Sequence, residues 1–203
     1  MNDTRWVIAG EAVYSAGYCK TGSNGEWLAV GSVPEFYRNA LSSAPVKLKK
    51  CEKFFRIGEQ SAITITMALL ALKQTEVKEA SGFGRTAVLG YGNDGSHHNN
   101  LTYWHDYVDN GRVSAQGHLF VGTLASTPLC QLALTLGCHA PVYYVSPRTD
   151  DSLLASELDF IREQCENLFF IGLKHDFCSC AFLQPAFKGI SSEEVIVHLG
   201  GMK

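Results

Sequence analysis

Four short constellations in this chain carry residue types that could do chemistry. Gly90-Tyr-Gly92-Asn-Asp-Gly95 follows a short apolar run and satisfies a Gly-x-Gly-x-x-Gly pattern. Nucleotide binding would need an apolar helix opening at Gly95 and an acidic residue ending the next strand. Ser96-His97-His98-Asn99-Asn100 follows instead and is too polar to dock a helix on a sheet, so a glycine-rich turn is expected. His175-Asp176-Phe177-Cys178-Ser179-Cys180 offers soft ligands. Structural zinc takes four ligands, usually from two separated pairs, and no second pair matches, so buried free thiols and no metal are expected. His97, His98 and His105 with Asp94, Asp106 and Asp109 could form an acid/base or metal cluster, but their spacing is not diagnostic and a solvated loop is expected. The fourth is Ser146-Pro-Arg-Thr149-Asp150-Asp151-Ser152, a hydroxyl immediately before two carboxylates.

The elements that must position these groups are short and alternate. Trp6–Ala9, Thr86–Leu89, Pro141–Val145, Asn167–Gly172 and Glu194–Leu199 read as five strands. Their unbroken apolarity suits strands covered on both faces. Cys51 to Lys73 reads as a helix with Phe54 and Phe55 near its start, and apolar nearly all round further on. Thr127-Pro128 opens a helix with Leu129, Leu132, Ala133 and Leu136 on one face, and Gly137 stops it. A third helix runs from about Asp150 to Cys165, with Leu154, Leu158, Ile161 and Cys165 aligned and Asp150 and Asp151 in its first turn. This alternation predicts an α/β fold with a mostly parallel five-stranded sheet and helices on both faces. Residues 15–50 and 90–120 are expected to be long polar loops.

Residues 1–203 read as one domain with a substantial core. Hydrophobic residues make up 46% and charged residues 18%, an ordinary globular balance. A net charge of −3 gives no reason to expect nucleic acid or an anionic membrane as a partner. No apolar run reaches the roughly 18 residues of a membrane span. The start, Met-Asn-Asp-Thr-Arg-Trp, lacks the pattern of a signal peptide. Seven cysteines, an odd number in apolar surroundings, suit reduced thiols, and a cytoplasmic location is expected.

From Cys51 onward the order of motifs resembles the N-terminal half of a β-ketoacyl synthase of the thiolase-like superfamily. Cys51-Glu-Lys-Phe-Phe-Arg-Ile-Gly is similar to the entry to that family's first long helix. Thr86-Ala-Val-Leu-Gly-Tyr-Gly matches the strand and glycine turn that follow it. Phe120-Val-Gly-Thr-Leu-Ala-Ser-Thr-Pro-Leu-Cys-Gln-Leu-Ala is close to the segment before the nucleophile helix, and Gly137-Cys-His-Ala-Pro141 looks like the turn into the strand that ends at the nucleophile. The resemblance implies a layered thiolase-like half-fold.

In that family a cysteine stands where this chain has Thr149. A helix N-terminus lowers a thiol pKa, whereas a threonine hydroxyl is a poor nucleophile without an adjacent base. Thr149 therefore reads as a helix cap, and no catalytic residue and no cofactor is expected. The family's two catalytic histidines belong to a second half that this sequence does not include. The resemblance then implies a catalytically inactive, chain-length-factor-like subunit paired with a full-length ketosynthase in polyketide, aryl-polyene or fatty-acyl biosynthesis. Two alternatives stay open: a homodimeric protein that binds an acyl chain or acyl carrier protein without chemistry, and a stand-alone enzyme. The resemblance places a dimer seam at Pro141, Val142, Tyr143, Tyr144 and Val145. Lys47, Lys49, Lys50, Lys53 and Arg56 form a basic cluster that could meet an acidic acyl carrier protein.

Overall fold

A computed structural model describes residues 5–49, 57–77, 83–92, 96–111, 117–146 and 151–200. The N-terminal strand β1 (Arg5–Ser15) turns directly into β2 (Tyr18–Thr21), which pairs with the two-residue β3 (Leu28–Ala29). Ser15 pairs with Tyr18, and Ala16 and Gly17 between them both have positive φ, the geometry of a tight hairpin that follows strand twist. Helix α1 (Val33–Ser42) follows, and then α2 (Glu59–Leu72). After β4 (Thr86–Tyr91) come α3 (His97–Asp109), α4 (Gly117–Gly122) and α5 (Thr127–Leu136). The order then runs β5 (Val142–Val145), α6 (Asp151–Arg162), β6 (Asn167–Lys174), β7 (Phe177–Ala186) and α7 (Ser192–Gly200).

Among the described residues these strands form one seven-stranded sheet in the order β3-β2-β1-β7-β6-β4-β5. The expected five-stranded, mostly parallel sheet is corrected in both respects. Only β6-β4 and β4-β5 pair in parallel; the other neighbours are antiparallel. The difference lies in β7, which returns from β6 through His175-Asp176, with Asp176 at φ 54°. It inserts between β6 and β1, with Glu11 opposite Ala181 and Tyr14 opposite Cys178. Phe177–Cys180 is thus strand interior rather than a ligand pair. The segment Glu194–Leu199, expected as a strand, is helix α7. Ser191 and Glu194 cap it reciprocally: Ser191 N–H donates to Glu194 Oε2 at 2.6 Å, and Glu194 N–H to Ser191 Oγ at 3.2 Å. Val195, Ile196 and Leu199 are buried while Val197 is exposed, a helical spacing. The polar stretches 15–50 and 90–120 likewise hold β2, β3, α1, α3 and α4 rather than loops alone.

The sheet has a core on each face. On one, α1, α2 and α5 pack over Tyr14, Val88, Phe169, Cys180 and Phe182. Helix α2 is buried almost all round, as its composition predicts, and the Thr64 and Thr66 hydroxyls donate to the carbonyls of Gln60 and Ala62, which gives these two buried hydroxyls acceptors within the helix. On the other face α6 and α7 cover Trp6, Leu89, Phe170 and Leu183, with Leu154, Leu158, Ile161 and Cys165 all buried. Glu11 is 5% exposed on this side, and His198 Nε2 of α7 lies 2.7 Å from its Oε2, tying the last helix to the first strand.

Gly10 marks the place where the two ends of this layering meet. The expected strand stops there, but β1 continues through it with a register shift between Ile8 and Gly10. A Cβ on Gly10 would stand 2.1 Å from the Ala71 carbonyl oxygen at the end of α2. Only glycine lets the helix end approach this closely. Gly10→Ala is therefore expected to cost about 3 kcal/mol or more, because the obstacle is backbone and cannot rotate away. Urea denaturation measures it; a loss within experimental error of zero would show that the bulge can shift.

Burial also acts on the core thiols. It pushes Cys178 up to about 12 from the ordinary 9.0, with its contact to the Thr64 hydroxyl working the other way. Burial raises Cys180 well above the ordinary value too. A thiol raised in the folded state stays protonated while its unfolded counterpart ionises, so its contribution to stability is intact below pH 9 and is lost as pH climbs towards 12. The urea midpoint should fall between pH 8 and pH 10.5, and Cys178→Ala, weaker at pH 8, should show a shallower fall. An equal slope in both proteins would contradict the assignment.

Candidate functional site at the β5 edge

Strand β5 ends the sheet. It has β4 on one side and, among the described residues, no strand on the other. The register pairs Val88 with Val142 and Tyr91 with Val145. Val88 N–H donates to Pro141 O at 3.0 Å and Gly92 N–H to Val145 O at 3.3 Å, so residues 141 and 145 turn their carbonyls to β4. Alternation along a parallel ladder then directs the backbone groups of Val142 and Tyr144 away from the sheet.

All four β5 side chains are half-buried. Val142 and Tyr144 pack on the α2/α5 side, Tyr143 and Val145 on the α6/α7 side. Tyr143 Oη donates to Glu157 Oε2 on α6 at 2.7 Å. Burial, then the hydrogen bond to Glu157 and its charge, raise the Tyr143 phenol well above its usual value, so it remains a donor. Tyr144 Oη donates to Gly92 O at 2.6 Å. A Cβ at Gly92 would lie 2.0 Å from Leu173 O and 2.8 Å from Tyr144 Oη, so the chain leaves β4 through a slot only glycine passes. The two tyrosines brace the strand from opposite faces.

The remaining sequence-level candidates disperse. Gly90 serves packing: a Cβ there would meet the Leu129 side chain at 2.5 Å, so it admits α5 onto the sheet. Residues 93–95, including Asp94, lie outside the described residues. His97, His105, Asp106 and Asp109 ride on α3, the helix that forms where a loop was expected, with the Asp106 carboxylate accepting from Asn110 Nδ2 at 2.8 Å. Among the described residues, no group of three or more His, Cys, Asp or Glu side chains is placed to hold a metal ion. Cys178 and Cys180 are buried on the α2 side of β7. Thr149 and Asp150, with the rest of 147–150, fall outside the described residues, just before α6 begins.

Of the basic cluster, Lys50, Lys53 and Arg56 also lie outside the described residues, while Lys47 and Lys49 are exposed. Lys49 has a local task. Its backbone N–H donates to Thr135 O, its Nζ lies 3.4 Å from His139 Nε2, and its stem runs over Gly137, the left-handed C-cap of α5. A cation there favours the carbonyl end of the helix. Its positive charge, with burial acting more strongly the other way, bears on Cys138, whose thiol rises to about 12. The pair that sequence reasoning missed is Glu11–His198; a lone glutamate in an apolar run gave no sign of a partner near the chain's far end.

No protein-family model matches the chain, and no curated protein matches its sequence. Solved structures do share its fold. One is the ketosynthase (ApeO) in complex with its chain length factor (ApeC) from Xenorhabdus doucetiae, with a TM-score of 0.54 and 12% identity over 89% of this chain and 79% of that one. A second is the ishigamide ketosynthase/chain length factor, with a TM-score of 0.58 and 12% identity over 92% of this chain and 64% of that one. A third is the oxazolomycin ketosynthase domain OzmH KS7 of Streptomyces albus JA3453, with a TM-score of 0.52 and 11% identity over 90% of this chain and 42% of that one. This chain thus spans slightly under two thirds of the second structure and under half of the third. No helix among the described residues is long and apolar enough to cross a membrane. This chain thus shares its overall fold with these ketosynthase and chain-length-factor structures.

Proposed function

We propose that this chain is a catalytically inactive, chain-length-factor-like subunit that pairs with an active ketosynthase in polyketide, aryl-polyene or fatty-acyl biosynthesis. The observation that carries the reading is the open β5 edge on a fold shared with ketosynthase/chain-length-factor pairs. A short apolar strand at the end of a sheet, with no further strand beside it among the described residues, is a place where another chain can add a strand. The dimer seam is then Pro141–Val145, and the ketosynthase contributes the strand that continues the sheet.

Chemistry is assigned to the partner because Thr149 holds the family's nucleophile position. A hydroxyl needs a base to attack an acyl carbonyl, and the neighbours Asp150 and Asp151 would oppose a developing anion. The basic residues Lys47, Lys49, Lys50, Lys53 and Arg56, clustered in the sequence, are the contact for an acidic acyl carrier protein, and Lys49 also lies at the end of α5. The same strand edge is compatible with a second reading, a non-catalytic homodimer in which β5 of two copies pairs antiparallel across a two-fold axis.

Purified protein incubated with acyl-loaded carrier protein should show no increase in intact mass, and Thr149→Cys should remain inactive in condensation. A mass increase that Thr149→Ala abolishes would overturn the assignment. Association at β5 is tested by Val142→Pro, which removes an outward-facing N–H and spares the Pro141 and Val145 bonds to β4. Tyr143 is a poorer probe, since its hydroxyl is committed to Glu157. By light scattering at micromolar concentration the native protein, alone or with its ketosynthase, should be dimeric, and Val142→Pro should be monomeric or aggregated with unchanged circular dichroism. A monodisperse native monomer that forms no complex would refute the seam.

A further inference from the structure

We propose that Asn24-Gly25, in the turn between β2 and β3, is a site of spontaneous covalent modification. Asn24 deamidates through a succinimide to isoaspartate, and the lengthened backbone releases β3 from β2. The inference is independent of any partner.

The sequence holds two Asn-Gly steps, Asn24-Gly25 and Asn110-Gly111. Glycine after asparagine lacks the Cβ that would shield its backbone nitrogen from the asparagine side chain. The fold treats the two steps differently. Asn110 caps α3: its Nδ2 donates to Asp106 Oδ1 at 2.8 Å and its N–H to Asp106 O at 3.0 Å, so the carboxamide is drawn back towards the preceding turn. Asn24 is exposed, and among the described residues no partner holds its side chain. Gly25 N–H donates to Gly22 O at 3.3 Å, at the long end for such a bond, so this nitrogen is only loosely engaged. The turn is anchored from behind, where Gly22, with φ 71°, donates its N–H to Glu11 O at 2.9 Å. Carboxamide and nitrogen are thus neighbours in water on an anchored turn.

The Gly25 nitrogen, its proton passed to hydroxide or water, attacks Asn24 Cγ. The N–Cγ bond forms, the Cγ–Nδ2 bond breaks, and Nδ2 leaves as ammonia with a proton taken from water. Water then opens the five-membered ring. Addition at the Asn24 main-chain carbonyl cleaves its bond to the Gly25 nitrogen, so the chain runs on through Cγ and an α-carboxylate is freed. Addition at Cγ gives ordinary aspartate. Ammonia and water are the only species exchanged, and no electrons are transferred to or from the chain.

The effect on β3 follows from the tight packing at Gly25. A Cβ there would stand 2.0 Å from Thr21 O, so a further backbone atom cannot be taken up without moving Gly25 off the end of β2. β3 starts at Leu28 and is held by two register pairs, Tyr18 with Ala29 and Cys19 with Leu28. So short a strand has little to set against a shift in its connection. The next tie, Val30 N–H to Gly17 O at 2.7 Å, lies beyond it. The freed α-carboxylate also brings a negative charge close to Glu26.

The test uses the full chain, incubated at pH 8.5 and 37 °C and read by peptide mass spectrometry with electron-transfer fragmentation, which separates isoaspartate from aspartate. The peptide containing Asn24 should gain about 1 Da and show isoaspartate. Its rate should exceed that at Asn110 by about tenfold or more, because a side chain held out of the attack geometry reacts slowly. In denaturant the two rates should converge. Hydrogen exchange over residues 27–30 should rise in the isoaspartyl form. Asn24→Asp, which adds the charge without the backbone atom, and Asn24→Gln should keep the native protection there. Equal folded rates at Asn24 and Asn110, or a folded Asn24 that stays an amide, overturn the site. Isoaspartate at Asn24 with native exchange over residues 27–30 overturns the release of β3.

Discussion

Strand β7 is the constraint on which the rest of this molecule depends. It runs antiparallel to both neighbours and joins the N-terminal β3-β2-β1 unit to the parallel β6-β4-β5 unit. Each of its two ladders satisfies backbone groups that burial on both faces would otherwise leave without partners. Phe182 meets Phe169 at 4.9 Å, and Phe83 packs against both rings, so the same strand centres the core beneath α2. The hairpin tips lock the junction: Ala16 N–H donates to Asp176 O at 2.9 Å, bridging the β1–β2 and β6–β7 turns.

With β7 in place, the other elements have little freedom. Pairing with β1 carries the chain start into the centre of the sheet, which is why Glu11 meets His198 from the far end of the chain. A carboxylate 5% exposed is tolerated because His198 Nε2 is within hydrogen-bond distance. The register shift at Gly10 keeps β1 aligned with β7 while opening room for the end of α2, where Gln74 Nε2 donates to Glu11 O at 2.6 Å. These long-range contacts all follow from one antiparallel insertion.

The same topology leaves β5 at the opposite edge from β3. The β3 edge is only two residues long and is a poor template for another strand. β5 is longer, apolar, and braced from both faces by tyrosines whose hydroxyls are already engaged. The two edges of the sheet thus differ in length and apolarity by where the sheet stops.

Continuous apolar runs and helix caps made β4, β6, α5 and α6 legible from the sequence alone, because strands buried on both faces and helices with a proline start and a glycine stop carry local signals. Gly137 and the Leu154–Leu158–Ile161–Cys165 face are where those signals place them. Strand order was not legible in this way, since pairing Arg5–Ser15 with Phe177–Ala186 is a choice between distant segments that neither encodes separately. The Val195–Leu199 run is β-branched enough to suggest a strand, and the Ser191/Glu194 cap together with a surface to cover on β1 makes it α7. Gly10 ends a strand in local reading and continues one in the fold, because only packing shows that α2 must pass within reach of it. Local chemistry determined most of the elements; the tertiary structure decided which strand lies in the middle and which is left with an open edge.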